Sequence, residues 1–386
     1  RELRISKTTV MKILDYLLQS DWIVSGGKGA STSEGGKRPG VYAFNAEHAY
    51  AAGFQIFPDA ISALITDLHG DIRHAIQASM PKNASLDVVV EKINAICRNL
   101  LEAKKIHSHR LAGIAVGVPG IVNFSNGTVQ MSPWFPSWPL DTDLKSRIIE
   151  KLSFNVPIIV DNECRFQAFA EKAKGVAKNK ENVVAIKAGE GLAAGIIVDG
   201  GIKRGTHHLA GEIGHMIIRP DDTKQCICGS RGCFEASVYE SRLIEETIEK
   251  IHMYPDSAIF ENRSADDVTA ETIFQCADQG DPLARSRLDE IAKWFAIALS
   301  NLIVVNDPEI IVIQGIYAKA GDYFLEGLRH RVNDLLLGRM KKEVEIRFSE
   351  MGPEIGALGA CLFVISEYFK QDFPRTAGAG MEKETA

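Results

Sequence analysis

Residues 211–215 read Gly-Glu-Ile-Gly-His, and residues 226–235 read Cys-Ile-Cys-Gly-Ser-Arg-Gly-Cys-Phe-Glu. Three cysteines within eight residues follow a histidine that lies eleven positions before the first of them. Together they offer one imidazole nitrogen and three thiolates, which is a donor set for a closed tetrahedral zinc site. The stretch therefore predicts a structural zinc ion held by four residues, His215, Cys226, Cys228 and Cys233.

Two alternatives for these cysteines stay open. A disulfide is disfavoured because thiols stay reduced in the cytoplasm, where we expect this chain to reside. Free buried thiols are the other alternative, and they are the state we expect for the isolated cysteines, Cys97, Cys164, Cys276 and Cys361.

Composition excludes several classes of protein. The chain has 386 residues, of which 45% are hydrophobic and 24% charged, so it is neither disordered, collagen-like nor stapled by disulfides. Its length predicts more than one globular unit. It contains no apolar run of about 18 residues and no opening signal peptide, so we expect a cytoplasmic protein without a membrane partner.

Charge is unevenly distributed along the chain. The net charge is −6, but residues 1–45 carry seven bases and four acids, a net charge of +3, so the remainder carries −9. A small basic module attached to an acidic body would produce this asymmetry. The body itself is therefore not a general binder of polyanions.

The basic segment predicts a DNA-binding module over residues 1–45. Apolar residues recur with helical spacing over 6–19, and two β-like segments, 22–24 and 41–44, flank a Gly-rich basic hairpin. A helix followed by such a hairpin suits a major groove and its flanking backbone. The candidate DNA contacts are Lys7, Thr8 and Lys12 on the helix and Lys37 and Arg38 on the hairpin.

An alternative is that this helix simply covers a core, which its periodicity alone would favour. The neighbouring Gly-Gly-Lys-Arg-Pro at 35–39 argues for phosphate contact, because it places two cations on a backbone that can approach closely. Since Arg1 already lies within what reads as the preceding helix, we expect the module's first helix to be missing from this sequence.

The remaining chain predicts an α/β fold. Strands are expected at 51–56, 62–67, 111–116, 157–160, 183–187 and 310–313, and helices at 86–104, 163–173, 282–305 and 354–368. We expect a small lobe of residues 46–162 plus 354–370, a large lobe of 163–353 with the zinc motif, and a tail of 371–386. Glycine turns at 117–120 and 189–195 are weak evidence for phosphate binding, since most such turns only reverse the chain.

The two motifs at 211–235 resemble those of the ROK family of repressors, open reading frames and sugar kinases. Gly-Val-Pro-Gly at 117–120 and Asp-Asn-Glu at 161–163 support the resemblance, which covers nearly the whole chain. It implies a winged helix-turn-helix followed by a two-lobed, actin-like (ribonuclease H-like, sugar kinase) fold with a cleft between the lobes. Within the family, the chain is most similar to regulators of the xylose and N-acetylglucosamine repressor type.

The resemblance also implies a sugar site. The matching positions are Asn162, Glu163, Glu212, His215 and Glu235. Carboxylates and an amide suit vicinal hydroxyl groups, and zinc on one nitrogen of His215 would leave the other for the sugar. Each glutamate taken singly could equally be an exposed or salt-bridged surface residue. Similarly, Trp134, Phe135 and Trp138 either stack on a sugar or pack in a core.

The phosphate-binding segments of the family's kinases are altered here. Their Asp-x-Gly-Gly-Thr segment reads Gln-Ile-Phe-Pro-Asp at 55–59, and Glu190 replaces the threonine of a Gly-Thr-Gly turn. Pro58 lacks an amide donor, and a carboxylate beside a triphosphate is repulsive. In the adenosine region, a Gly-Gly pair reads Gln314-Gly315.

The kinase motif that carries the catalytic base is altered as well. Its aspartate aligns with Glu163, and its second asparagine aligns with Arg165. A glutamate could still act as a base, but phosphoryl transfer depends mainly on positioning and charge stabilisation. We therefore expect no catalytic residue and no enzyme activity.

These observations predict a sugar-responsive, DNA-binding regulator, most simply a repressor of carbohydrate-utilisation genes. Its expected partners are operator DNA, a small sugar effector and further copies of itself in a homodimer or homotetramer. One alternative is an ATP-dependent ROK sugar kinase with an N-terminal extension. Another is a regulator that responds to a protein instead of a sugar.

Overall fold

A computed structural model describes residues 5–28, 38, 40–261, 264–336 and 344–370. Lys37 and the predicted tail, 371–386, lie outside these residues. Among the described residues, no helix combines the length and the apolar character needed to cross a membrane.

The N-terminal module consists of one helix and a β-hairpin. Helix α1 spans Lys7–Gln19 and begins where the Ser6 hydroxyl accepts a hydrogen bond from the Thr9 amide. Strands β1, Ile23–Lys28, and β2, Gly40–Phe44, pair in antiparallel fashion. No residue of α1 is fully buried, but three leucines of its apolar stripe, Leu14, Leu17 and Leu18, are half-buried.

The first sheet of the body has five strands in the order β10-β6-β3-β4-β5. Its elements, with the small sheet β7–β9, are β3 Tyr50–Ile56, β4 Ala60–Asp67, β5 Ile72–Ser79, α2 Leu86–Ala103, β6 Leu111–Val118, β7 Ile121–Asn123, β8 Thr128–Met131, β9 Thr142–Asp143, α3 Leu144–Lys151 and β10 Ile158–Asn162. Strands β3, β4 and β5 are antiparallel, whereas β6 and β10 run parallel to β3.

The second sheet also has five strands, in the order β13-β12-β11-β14-β15. The elements of this half are α4 Glu163–Lys174, β11 Val183–Gly189, β12 Gly191–Val198, β13 Gly201–Ile202, α5 Phe234–Val238, α6 Glu240–Glu249, α7 Ala270–Asp278, α8 Pro282–Asn306, β14 Ile310–Gly315, α9 Gly321–Leu335 and β15 Glu345–Phe348.

The two sheets share one topology. In the second sheet, β11, β12 and β13 are antiparallel and β14 and β15 run parallel to β11, as β6 and β10 do in the first. The α/β prediction is confirmed, and each strand and helix expected from the sequence is present. The parallel strands are almost continuous apolar runs because both of their faces are covered.

The last helix of the body, α10, Ile355–Lys370, packs against the first sheet and against α4. Two glycines allow this approach. A Cβ atom on Gly53 would lie 2.1 Å from the Ala357 carbonyl oxygen, and one on Gly359 would lie 1.9 Å from that of Phe166. Helix α4 also contacts β11 and β12, so it lies between the two halves of the body.

An aromatic cluster joins the N-terminal module to the end of α10. Trp22, which is buried, stacks on His48 with a centroid separation of 3.9 Å. Its ring also lies 6.1 Å from Tyr368 and 6.2 Å from Phe369, both in the last turn of α10. The module therefore packs directly on the body through these side chains.

Candidate sugar and metal site

The four predicted metal ligands come together. Their ligand atoms all lie within 4.8 Å of one another, so the clustering that the sequence predicted is confirmed. Cys228 Sγ is 3.7 Å from Cys233 Sγ, and Cys226 Sγ is 3.7 Å from His215 Nδ1. With Zn–S and Zn–N bonds of about 2.3 and 2.0–2.1 Å, a tetrahedral zinc site has donor-to-donor edges of about 3.8 and 3.6 Å. These two separations match such edges, and the four donors are of the types that zinc binds.

Glycines shape the loop that carries these cysteines. Gly229 and Gly232 have φ values of +87° and +77°, which a residue with a side chain rarely adopts. A Cβ on Gly232 would also lie 2.3 Å from the Arg219 carbonyl oxygen. The loop closes where the Cys226 amide donates to the Ser230 carbonyl at 2.8 Å.

A cavity of about 500 Å³ lies beside the metal cluster, between the end of β6 and the β11–β12 turn. Its walls include all five residues predicted to bind a sugar, Asn162, Glu163, Glu212, His215 and Glu235. His215 belongs to both sites, because Nδ1 faces the cysteines while its ring also lines the cavity.

Glu235 and Asn162 are held in place by the protein itself. The Glu235 carboxylate accepts hydrogen bonds of 2.7 Å from the Tyr239 hydroxyl and from the Leu192 amide. The Asn162 side chain caps α4 by accepting from the Cys164 amide at 2.8 Å, and it donates to the Gly120 carbonyl at 2.9 Å. These bonds preorganise both side chains before any ligand enters.

Glu163 leaves one carboxylate oxygen free for a ligand. The residue is 5% exposed, and within the described residues its Oε2 atom is buried without a hydrogen-bond partner. Its Oε1 atom lies 3.6 Å from Lys187 Nζ. Burial alone would lower the pKa of Lys187, but the carboxylate of Glu163 raises it above its ordinary value, so Lys187 is a cation.

Glu212 completes a group of three carboxylates. Burial and repulsion from Glu163, with a smaller contribution from Glu235, raise the pKa of Glu212 to about 7. Near neutral pH this side chain can therefore donate or accept a hydrogen bond. The three side chains come from different parts of the chain but face one cavity.

The sequence profile of the ROK family matches residues 52–367. The chain belongs to the ROK family. Among curated relatives, it is 27% identical over 373 residues to a xylose repressor of Caldicellulosiruptor bescii, covering 97% of this chain and 91% of that protein. It is 30% identical over 272 residues to a glucokinase of Halalkalibacterium halodurans, covering 68% and 81%.

The fold resembles that of solved ROK proteins. A crystal structure of a ROK family transcriptional regulator, described as a homologue of the Escherichia coli MLC protein, superposes with a TM-score of 0.78 at 22% identity. The match covers 95% of this chain and 90% of that one. Together with the repeated sheet topology, this confirms the two-lobed, actin-like fold expected from the sequence.

In two of the three segments that differ from the family's kinases, groups of the protein form hydrogen bonds with each other. At the β3–β4 turn of this ROK chain, the Phe57 amide donates to the Ala60 carbonyl at 2.8 Å. In the region of β14, Gln314 is buried and donates to the buried Glu171 at 3.1 Å. These groups are therefore already engaged without a nucleotide.

The third altered segment is acidic. Glu190 is exposed at the β11–β12 turn and lines the mouth of the cavity. The negative charge of Glu190 also acts on Glu240. Burial and the carboxylates of Glu271 and Glu190 raise the pKa of Glu240. Negative charge of this kind opposes an anionic ligand at the turn.

Two contributors to the site, Lys187 and Tyr239, were not assigned from the sequence. Lys187 carries a signal, since it interrupts the apolar strand β11 two residues before the glycine turn. Tyr239 carries one too, because it lies four residues after Glu235, a spacing that brings two side chains together along a helix. Stacking on a sugar and packing in a core were both possible for three aromatic residues. Trp134 lines the cavity, whereas Phe135 and Trp138 stack on each other in the hydrophobic core of the first half of the body.

The predicted DNA contacts lie on the N-terminal module. Lys7, Thr8 and Lys12 are exposed on α1, and Arg38 is exposed near the start of β2. These residues are not among those that line the cavity. Contact with DNA and contact with a small ligand would therefore use different surfaces of this ROK chain.

Proposed function

We propose that this protein is a sugar-responsive transcriptional repressor that binds operator DNA with its N-terminal module and a sugar in the cavity. The observation that carries the proposal is the cavity that Glu163 lines with Asn162, Glu212, His215 and Glu235, because the Oε2 atom of Glu163 is buried there without a hydrogen-bond partner among the described residues. A sugar hydroxyl would supply the missing hydrogen bond, which removes the cost of an unpaired buried acceptor.

Relatives support a regulator over an enzyme. The xylose repressor match covers 97% of this chain and so includes the N-terminal module, whereas the glucokinase match covers 68%. Only the first therefore accounts for a helix and hairpin that precede the body. The occupied β3–β4 turn and the acidic β11–β12 turn point in the same direction.

The charge of the cavity favours an uncharged sugar. Four carboxylates, those of Glu163, Glu190, Glu212 and Glu235, face it with a single lysine, Lys187. A phosphorylated sugar would meet like charges on most sides, so we propose a neutral pentose or hexose as the effector. Because the relatives are named xylose repressors, D-xylose is the first sugar to test.

We propose that zinc occupies the four-ligand cluster and serves a structural role. Three thiolates and an imidazole make up a donor set that zinc prefers, and the loop is shaped by glycines to hold it. With Nδ1 directed to the cluster, the remaining nitrogen of His215 is available to a sugar hydroxyl. The ion would thereby orient a ligand-binding side chain.

The N-terminal module supports a winged helix-turn-helix, with α1 as the recognition helix and the β1–β2 hairpin as the wing. The exposed cations Lys7, Lys12 and Arg38 are the proposed phosphate contacts, and Thr8 can reach a base or the backbone. Two such modules match two half-sites only in an oligomer, so we propose a homodimer or homotetramer. We propose one lobe of residues 46–162 with 354–370 and a second lobe of residues 163–353.

The first experiment is a thermal-shift screen of the full chain against neutral sugars and their phosphates, starting with D-xylose, D-glucose and N-acetyl-D-glucosamine. Because a ligand that binds only the folded state raises its stability, one neutral sugar should raise Tm, and its phosphate should not. Glu163→Gln should abolish the shift, whereas Glu249→Gln, a change at an exposed helical position, should retain it.

The second experiment is footprinting of the full-length protein, with its whole DNA-binding module, on the DNA upstream of its own gene, with and without that sugar. A protected site that is lost or altered on sugar addition supports the repressor. Absence of any protected site at moderate salt would contradict DNA recognition. Robust sugar-dependent ATP turnover in a coupled assay would instead establish the ROK kinase, which the glucokinase relative keeps as the second candidate.

A further inference from the structure

A buried ionic cluster crosses from one lobe to the other beside the proposed sugar site. Arg204, which follows β13 in the second half of the body, reaches Asp161 at the end of β10 in the first. Its Nε donates to Asp161 Oδ2 at 2.8 Å, and its Nη2 lies 2.8 Å from the same oxygen. Asp161 is fully buried and the Arg204 side chain is 20% exposed, so the carboxylate of this pair is shielded from water.

Aromatic packing holds the Arg204 side chain in this position. Its guanidinium carbon lies 3.6 Å from the centroid of the Phe124 ring and 5.6 Å from that of Phe363. Both rings belong to the first half of the body, in the segment after β7 and in α10. A cation above an aromatic face at this distance adds attraction that a simple ion pair lacks.

Arg165 makes a second connection across the same boundary. Its Nη1 donates to Asp161 Oδ1 at 2.6 Å, and its Nη2 donates to the His208 carbonyl oxygen at 2.5 Å. Arg165 lies in the first turn of α4 and is 1% exposed. The segment 204–208 is therefore anchored twice, through a side chain at one end and through the backbone at the other.

This segment leads directly to the sugar cavity. It closes on itself where the Ala210 amide donates to the Arg204 carbonyl at 3.2 Å, and it continues to Glu212. On the other side of the cluster, Asp161 accepts from the Asn162 amide at 2.8 Å and lies two residues before Glu163. The cluster thus connects the backbone that carries Glu163 with the backbone that carries Glu212.

We infer that Asp161, Arg165 and Arg204 form an inter-lobe clasp that positions Glu212 opposite Glu163 and thereby sets the affinity of the cavity for its sugar. The inference rests on the proposed sugar binding. The three side chains are positioning residues, since none of them lines the cavity within the described part of the chain.

The composition of the clasp supports a positioning role over a purely stabilising one. Two arginines and one aspartate leave an excess positive charge in a mostly buried place, and burying charges is costly even when they are paired. Apolar packing could join two lobes at a lower cost. A clasp of directional hydrogen bonds instead specifies one relative placement of the two carboxylates, which a ligand with hydroxyls at defined spacing requires.

The test measures affinity for D-xylose, D-glucose and N-acetyl-D-glucosamine by titration calorimetry on the full zinc-containing chain. Arg204→Met removes the charge and keeps much of the apolar volume, and it should weaken binding at least tenfold. Arg204→Lys keeps a charge near Asp161 but loses the Nε hydrogen bond and the planar contact with Phe124, so its affinity should fall between those of the wild type and Arg204→Met.

A double-substitution cycle separates positioning from stability. Glu212→Gln should weaken binding strongly in the wild-type background but several-fold less in Arg204→Met. The reason is that a displaced Glu212 already contributes little to sugar affinity. Arg287→Met is the matched control: Arg287 is 1% exposed and ion-paired with Glu246 and Glu290, away from the cavity. It should lower Tm and leave sugar affinity unchanged.

Two results would overturn the clasp. One is wild-type affinity in Arg204→Met, and the other is an effect of Glu212→Gln that is the same in both backgrounds. A wild-type chain that binds none of the sugars overturns the proposed function itself, and the inference with it. A folded Arg204→Lys variant keeps the test decisive if Arg204→Met does not fold.

Discussion

Replacing Glu212 by glutamine should stabilise the protein much more at pH 8 than at pH 5. Burial and the neighbouring carboxylate of Glu163 raise the pKa of Glu212 from its ordinary 4.5 to about 7. At about 1.4 kcal/mol per unit, ionising this group in the folded protein costs about 3 kcal/mol of stability at high pH. Glutamine mimics the neutral acid and avoids that cost.

The sign follows from proton binding in the two states. Between pH 4.5 and 7 the folded protein holds a proton on Glu212 that the unfolded chain has lost, so stability falls as pH rises. The favourable contribution is complete below the unfolded pKa and is lost above the folded one. About 2.5 kcal/mol of the change falls between pH 5 and pH 8.

Urea unfolding of both proteins at the two pH values, with the same added zinc, measures this difference. Comparing variant with wild type at each pH cancels the contribution of the metal ligands. Glu249→Gln, which removes an exposed carboxylate on a helix away from the cavity, is the control for the loss of a carboxylate. An equal effect of Glu212→Gln at both pH values would refute the assigned burial and repulsion.

Three further changes have defined outcomes. Cys228→Ser should reduce bound zinc from about one ion per chain, measured by mass spectrometry of the metal, and lower Tm, because the tetrahedral donor set would lose a thiolate; unchanged zinc content would exclude the assigned ligand set. Gly359→Ala should destabilise the fold by at least about 2 kcal/mol in urea unfolding, since its Cβ would clash with Phe166, whereas Gly201→Ala, whose Cβ meets nothing closer than 3.7 Å, should be tolerated. Lys12→Ala should lower operator affinity and reduce the salt dependence of binding by about one unit of slope, and an unchanged slope would remove Lys12 from the phosphate contacts.

The features predictable from the sequence are those specified by residues close together in the chain. Ser6 caps α1, and Pro282 begins α8, as local preferences indicate. The cysteines of the metal site lie within eight residues, so their spacing alone predicted the cluster. A short loop leaves few ways to arrange three thiolates and a nearby imidazole.

The features that escaped prediction depend on contacts between distant segments. Arg204 lies 43 residues from Asp161, and Gln314 lies 143 residues from its partner Glu171. No local sequence pattern marks an arginine or a glutamine for burial. Burying either side chain costs free energy, and this cost is offset only by a partner that the fold supplies. The sequence therefore indicated that Gln314 departs from the kinase pattern, but not that it pairs with a buried carboxylate.

Helix α10 approaches the backbone of Phe166 most closely at Gly359, so a rotation of the helix about that contact would move its C-terminal end. Ten residues separate Gly359 from Phe369, a length of about 15 Å at 1.5 Å per residue. A tilt of about 5° around the glycine contact would move the aromatic end of α10 by about 1.3 Å. Trp22 packs against that end of α10, and the helix also packs on α4. A small rotation of α10 would therefore displace the N-terminal module by about the length of a covalent bond.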